Sequence, residues 1–250
     1  FSDTSIDTAP DTAVDTSPDT SVDPVTDDVA DEDVETCVPA TCEADCITSG
    51  YVGGHCEGST CVCDELDEWT VLVYMMADNN LEKAGVNDLI EMMAYGSTDK
   101  VNIVVQADRH SAYDSRAVGG IADWTGTKRL YVEAGSLTEL GDLGEIDSAD
   151  PAQLADFISW AVTNYPAKRY FLDMWNHGGA WMMFGGDAYY DNEFDLIELN
   201  AGLGNGLVGA GLTRFDLLGF DACLMGNLEV AYQLEEEADL IVASEELEPV

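Results

Sequence analysis

The stretch WTVLVYMMADNNLEKAGVNDLIEMMAYGSTDKVNIVVQAD (69–108) decides how this chain folds. Its two ends, WTVLVYMMAD (69–78) and VNIVVQAD (101–108), are short, apolar and rich in β-branched residues, the texture of parallel strands buried on both faces. Between them Leu81, Ala84, Leu89, Met92 and Met93 fall at helical spacing. The paired methionines read as core filling rather than as metal or cofactor ligands.

The same alternation continues downstream. KRLYVE (128–133) reads as a strand, and DPAQLADFISWAVTNYP (150–166) as a helix with proline at its start. The apolar face of that helix is Leu154, Phe157, Ile158 and Ala161. KRYFLDMWNHGG (168–179) is a strand running into a glycine turn, and RFDLLGFDACLMG (214–226) is another, followed by the helical NLEVAYQLEEEA and a last strand in DLIVASEE (239–246). Repeats of strand, helix and strand specify an α/β fold with a mostly parallel sheet flanked by helices, here over residues 69–250. GNGLVG (204–209) matches G-x-G-x-x-G, but a strand follows it rather than leading into it, so it is not read as a dinucleotide loop.

Two different textures precede the α/β region. CVPATCEADCITSGYVGGHCEGSTCVC (37–63) holds six of the seven cysteines, too dense for a hydrophobic core to explain. They are expected to form three disulfides in an oxidising compartment, with the pairing left open among fifteen arrangements. Zinc ligation with His55 is the rival reading, and the spacing fits zinc fingers poorly. Residues 1–36 repeat Asp-Thr every four residues from Asp3 to Asp19. Like charge and few large apolar groups give that linker the signature of a disordered, self-repelling spacer.

Charge narrows the function. Fifty acidic residues against nine basic ones leave a formal net charge of −41. Such a surface repels phosphate backbones, so nucleic acid is not an expected partner, whereas cationic peptides and metal ions are attracted. No apolar run has the ~20 residues a membrane span needs. The chain opens directly in low-complexity sequence and stops at ASEELEPV, and is read as part of a longer protein.

In an open α/β sheet, reactive groups gather at the carboxyl ends of the strands. One expected strand ends DMWNHGGAW, presenting His177 before Gly178 and Gly179; another ends GFDACLMG, presenting Asp221 and Cys223. Cys223 is the odd cysteine, far from the other six. If the two strands are neighbours, an imidazole and a thiol share one cleft, the parts of a Cys/His nucleophilic pair. The imidazole takes the thiol proton and returns it to a leaving amine. The glycines permit close backbone approach, and the N–H groups of Gly178 and Cys223 are candidates for an oxyanion hole. A carboxylate at Asp221, beside the nucleophile, would pair with a basic substrate side chain. His110, in the polar loop after QADR, reads as exposed.

WTVLVYMMADNNLE, NHGGAW, LLGFDACLMGNLEVAY and VASEELEP occur in an order that resembles the clostripain family of cysteine peptidases, from about Trp69 onward. The resemblance implies the caspase-like fold shared with gingipains and legumain. It implies that His177 is the catalytic histidine, Cys223 the nucleophile and Asp221 the acid of the S1 pocket, with cleavage after Arg or Lys. It implies no required cofactor and admits calcium, for which no ligand set is legible. The expected protein is a secreted or surface-tethered cysteine endopeptidase acting on peptides or proteins. The alternative is a non-catalytic cell-surface binding protein, its α/β region a scaffold and its cysteine-rich module the ligand-binding part.

Overall fold

Strand β3 (Trp69–Ala77) is the axis of the structure. The computed structural model describes residues 36–49 and 51–248; the spacer expected over 1–36 lies, apart from Thr36, outside them. Before β3 come helix α1 (Pro39–Thr48) and the antiparallel hairpin β1 (Gly53–Glu57) and β2 (Thr60–Asp64). After it follow α2 (Glu82–Met92), β4 (Val101–Arg109), β5 (Gly126–Glu133), β6 (Ser136–Gly144) and α3 (Pro151–Asn164). Next are β7 (Tyr170–Trp175), a short hairpin β8 (Phe184–Asp187) and β9 (Asn192–Phe194), α4 (Leu196–Ala210), β10 (Leu217–Asp221), α5 (Leu228–Gln233) and β11 (Ile241–Ala243).

Seven strands form one sheet in the order β11-β10-β7-β3-β4-β5-β6. The five from β11 to β4 run parallel, and β5 and β6 close the far edge antiparallel. The reason lies in the connections. Helices bridge β3 to β4 and β7 to β10, which lets the chain return in the same direction, whereas β5 and β6 are joined by the Ala134–Gly135 turn, which reverses it.

Both faces are covered, which is why β3 shows no polar alternation. Leu72, Tyr74 and Met76 point into a core roofed by α3 and α4; Val73, Met75 and Ala77 point into a second core under α2. Met75 and Met76 therefore fill one core each. The four predicted apolar residues of α3 are fully buried, and Asp150 caps that helix by accepting from the Ala152 N–H at 2.8 Å.

The segment around GNGLVG is a helix, α4, which the sequence reading did not anticipate. Its glycines act in packing: a Cβ at Gly206 would stand 2.7 Å from Ile158 Cδ1, and one at Gly202 would stand 3.0 Å from Leu154 Cδ2. Small residues on one stripe thus let α4 lie close on α3. Asp195 and Glu198 form a capping box at its start, and Gly211, with φ of +71°, ends it.

In the N-terminal module the six sulfurs pair as Cys37–Cys56, Cys42–Cys61 and Cys46–Cys63. This chooses one of the fifteen arrangements and leaves the zinc alternative no free thiolate. His55 instead bonds Asp64, Nδ1 to Oδ1 at 2.8 Å.

Candidate active site

β7 and β10 are adjacent and in register, Trp175 opposite Asp221, so their carboxyl ends open at one point. The Asn176 N–H donates to the Asp221 carbonyl at 3.3 Å and carries the pairing one residue past the strand. Beyond it the two tips touch: a Cβ built on Gly178 would lie 1.9 Å from the Cys223 carbonyl oxygen. Only glycine permits that approach. Leu224, next to Cys223, has φ of +63°, a turn that costs a non-glycine residue about 1–3 kcal/mol and persists because its surroundings hold it. The Leu224 N–H donates to Glu246 O at 3.0 Å, and Asn227 Nδ2 donates to Leu224 O at 2.9 Å.

Here lies a cleft of about 330 Å³. His177, Cys223 and Asp221 all line it, together with Asp88, Glu91 and Glu248. Cys223 is unpaired and half-buried, and its Sγ accepts from the Glu248 N–H at 3.3 Å. Burial lowers the pKa of His177 from 6.5, so the imidazole is neutral at pH 7. Its Nε2 lies 3.0 Å from Asn80 Oδ1. With the proton on Nε2, donated to Asn80, Nδ1 is left as the base. Among the described residues neither the Gly178 nor the Cys223 amide N–H has a hydrogen-bond partner.

The floor of the cleft is acidic. Desolvation raises Asp221 and Asp88 above the ordinary carboxyl range, and Asp88 accepts from Trp175 Nε1 at 2.8 Å. Asp173, beneath Asp221, is pushed up to about 7 by burial first and by Asp221, Glu248 and Asp88 next. Gly219 makes room for it, since a Cβ there would meet Asp173 Oδ1 at 2.8 Å. Carboxyls crowded in this way stabilise an entering cation.

Several of these residues escaped the sequence reading. Asn79 and Asn80 end β3 in a polar tip, as His177 and Cys223 end theirs, so the strand-end rule pointed to them as well. Asn79 Nδ2 donates to Met76 O, Asn176 Oδ1 and Gly186 O, at 3.0, 3.0 and 2.8 Å. Buried Asn176 donates to Met76 O at 2.7 Å and to Gly186 O at 3.0 Å. The two amides tie the tips of β3 and β7 together behind the imidazole. Asp88, Glu91 and Asp173 carried no local signal, because only the fold brings them to Asp221.

A second group of carboxyls sits at the same sheet edge. Asp78, Asp108 and Glu145 offer oxygens within 4.8 Å of one another. Burial raises Asp108 to about 8 and Glu145 to about 7. His110, expected to be exposed, is partly buried here, its Nε2 3.8 Å from Asp78 Oδ1 and its ring 4.7 Å from that of Tyr113.

The clostripain family model matches residues 73–250. Clostripain of Hathewaya histolytica is 32% identical over 203 residues, which cover 70% of this chain and 38% of clostripain. A secreted C11 cysteine protease from Bacteroides thetaiotaomicron, solved with an irreversible peptide inhibitor, superposes with a TM-score of 0.57 at 26% identity, over 72% of this chain and 50% of that one. An inactive zymogen C11 protease from Parabacteroides distasonis shares the fold, with a TM-score of 0.56 at 24% identity over 75% and 51%. The chain thus spans about two fifths to one half of the length of these relatives. Over residues 73–250, this protein belongs to the clostripain family.

Proposed function

We propose that the protein is a cysteine endopeptidase cleaving after Arg or Lys, with Cys223 as nucleophile and His177 as general base and acid. The observation that carries the reading is the meeting of the two strand tips. An unpaired thiol and a neutral imidazole line one cleft, and Gly178 lies against the backbone of Cys223. In the reaction, Cys223 Sγ attacks the scissile carbonyl carbon while His177 takes the thiol proton. The free N–H groups of Gly178 and Cys223 are available to the oxyanion. Collapse of the tetrahedral intermediate transfers the His177 proton to the leaving amine and leaves a thioester on Cys223. Water, deprotonated by His177, then attacks the thioester and releases the acid product. Asn80 is a positioning residue that holds the ring through Nε2.

Asp221 is the S1 acid in this reading, reinforced by Asp88 and Asp173, so P1 is basic. The substrates are peptides or proteins that reach the cleft. The cleavage steps use no cofactor. Calcium, which the resemblance admits, finds fitting oxygen donors in Asp78, Asp108 and Glu145, apart from the reacting atoms, where its chemistry is charge neutralisation. Three disulfides favour a secreted or cell-surface location, with residues 1–36 as the tether. No helix among the described residues is long and apolar enough to cross a membrane.

The test is cleavage of a peptide library by the full-length protein, read by mass spectrometry. Cys223→Ala should abolish cleavage, and Asp221→Asn should lower kcat/KM for basic P1 by about 30-fold or more, as expected when one partner of a charge pair that bound substrate would desolvate is lost (about 2–5 kcal/mol). Activity retained in Cys223→Ala would overturn the assignment and favour the binding-protein alternative. An unchanged P1 profile in Asp221→Asn would move the specificity to another residue.

A further inference from the structure

The cystines of the N-terminal module are stacked sulfur against sulfur. Cys42 and Cys46 are four residues apart on α1, and Cys61 and Cys63 are two apart on β2, so each pair lies on one face of its element. Both spacings carry the chain about 6–7 Å, which lays the bond Cys42–Cys61 beside the bond Cys46–Cys63. Gly54 on β1 lets the helix come close: a Cβ there would stand 2.6 Å from Cys46 Sγ and 3.0 Å from the Cys42 carbonyl oxygen. Across the stack, Cys46 Sγ and Cys61 Sγ, which share no bond, are 3.6 Å apart, in van der Waals contact. At the other end the sulfurs of Cys37, Cys42 and Cys61 lie within 4.8 Å of one another. Access to the six is graded. Cys42 and Cys46 are buried, Cys37, Cys56 and Cys63 are half-buried, and Cys61 is exposed. A thiolate is therefore poorly solvated at the two helix positions and better solvated at the strand positions.

From this contact and this gradient we infer that the module is a thiol–disulfide exchange relay: a low-molecular-weight thiol that opens the cystine at Cys63 causes a thiol to emerge at Cys56. Each step makes one S–S bond as it breaks another. The incoming thiolate attacks Cys63 Sγ, forms a mixed disulfide there and expels Cys46 as thiolate. Cys46 Sγ attacks Cys61 Sγ, 3.6 Å away; the bond Cys46–Cys61 forms and Cys42 leaves. Cys42 Sγ, freed to turn, attacks Cys37 Sγ; the bond Cys37–Cys42 forms and Cys56 leaves. Cys56 takes up a proton from water, matching the one the incoming thiol released. One thiol enters and one appears, with no net oxidation or reduction. The exchange runs outward because it moves the charge from buried Cys46 and Cys42 to half-buried Cys56. None of these steps involves Cys223 or His177.

The test uses the full chain carrying Cys223→Ala, so that every thiol counted belongs to the module. It is incubated with reduced glutathione without oxygen, quenched in acid and alkylated with N-ethylmaleimide. The species carrying one glutathione is then mapped by mass spectrometry. With glutathione on Cys63, the alkylated residue should be Cys56, and the cross-links Cys37–Cys56 and Cys42–Cys61 should be lost to Cys46–Cys61 and Cys37–Cys42. Retention of the two original cross-links with alkylation at Cys46 overturns the proposal, as do any other pairs or the absence of glutathione from Cys63. Cys63→Ser starts the relay with no added thiol, because it leaves Cys46 without a partner. That variant, as purified, should carry its thiol at Cys56 and the same two new cross-links. A thiol that stays on Cys46 there overturns the proposal; where the variant pairs at random, the glutathione map of the parent decides.

Discussion

Residues 36–64 bury two side chains, Cys42 and Cys46, and both are half of a disulfide. Residues 69–248 hold two cores of apolar side chains, one on each face of a seven-stranded sheet, and no disulfide among the described residues. The module is too short to bury enough surface to offset its chain entropy, so covalent links replace a core. In the chain-entropy model each loop, closing over 17 to 19 residues, is worth about 3 kcal/mol taken alone. The sheet region relies on packing, and its one cysteine, Cys223, is unpaired. The two regions hold the same element in opposite ways: sulfur cross-linked in the module, sulfur unpaired at a strand tip of the sheet.

The most drastic way to break this comparison is reduction. Dithiothreitol should remove all protection from the amides of residues 36–64 in hydrogen-exchange mass spectrometry, while peptides from β3, β4 and β7 keep theirs. The melting of the sheet region should stay where it was. Loss of protection across both regions on reduction would mean that the module props up the sheet and that the two are not separately stabilised.

The converse is a lesion inside the sheet region. Arg109 and Glu82 are both essentially inaccessible, joined Nε to Oε1 at 2.9 Å, and Arg109 also stacks over the Trp124 ring at 4.5 Å. Glu82 Oε2 accepts from the N–H groups of Tyr113 at 3.1 Å and Asp114 at 2.7 Å, so one carboxylate serves both a buried cation and a loop. Glu82→Gln leaves the guanidinium only Asp123 Oδ1 at 3.0 Å and Asp114 Oδ1 at 4.0 Å as counter-charges, and should cost about 1–3 kcal/mol in urea unfolding. Exchange in the cystine module should not change.

This pair also marks the limit of what the sequence revealed. The elements flanking the site were legible because periodicity and β-branching record burial directly: β3, β4, α3, β7 and β10 lie where their texture placed them. His177, Cys223 and Asp221 were legible because they stand at the tips of apolar strands. Glu82 was not, since a glutamate in the first turn of a helix ordinarily faces water, and only the pairing of β4 beside β3 brings Arg109, the last residue of β4, to it. Neither was β6, whose SLTELGDLG keeps only Leu137 buried and so looks like a loop. NLEVAYQLEEEA yields just the six residues of α5, because few of its side chains find a core to cover. The hairpin of β8 and β9 is too short for its pattern to be read.

Helix α4 was hidden for another reason, and it gives the finest test of how tightly the sheet region is packed. Its glycines counted against a helix, although Asp195, Glu198 and Gly211 supplied its start and stop. In an ordinary helix interior, Gly→Ala stabilises by about 1 kcal/mol. At Gly204, half-buried, a Cβ meets only the end of the Glu237 side chain, Oε1 nearest at 3.4 Å, an ordinary contact, so Gly204→Ala should gain close to that amount. At Gly206 the same methyl meets Cδ1, Cβ and Cγ2 of Ile158 at 2.7, 2.8 and 3.1 Å. Ile158 is β-branched, stiff at χ1 and fully buried, so it has nowhere to turn and the helices must part. Overpacking of this kind costs about 1–3 kcal/mol, which outweighs the helical gain. Two substitutions of identical chemistry, two residues apart on one helix, should therefore move the urea midpoint in opposite directions. Equal stabilisation by both would mean that α3 and α4 stand far enough apart to admit a methyl, and that the sheet region, like the cystine module, is held by something other than close packing.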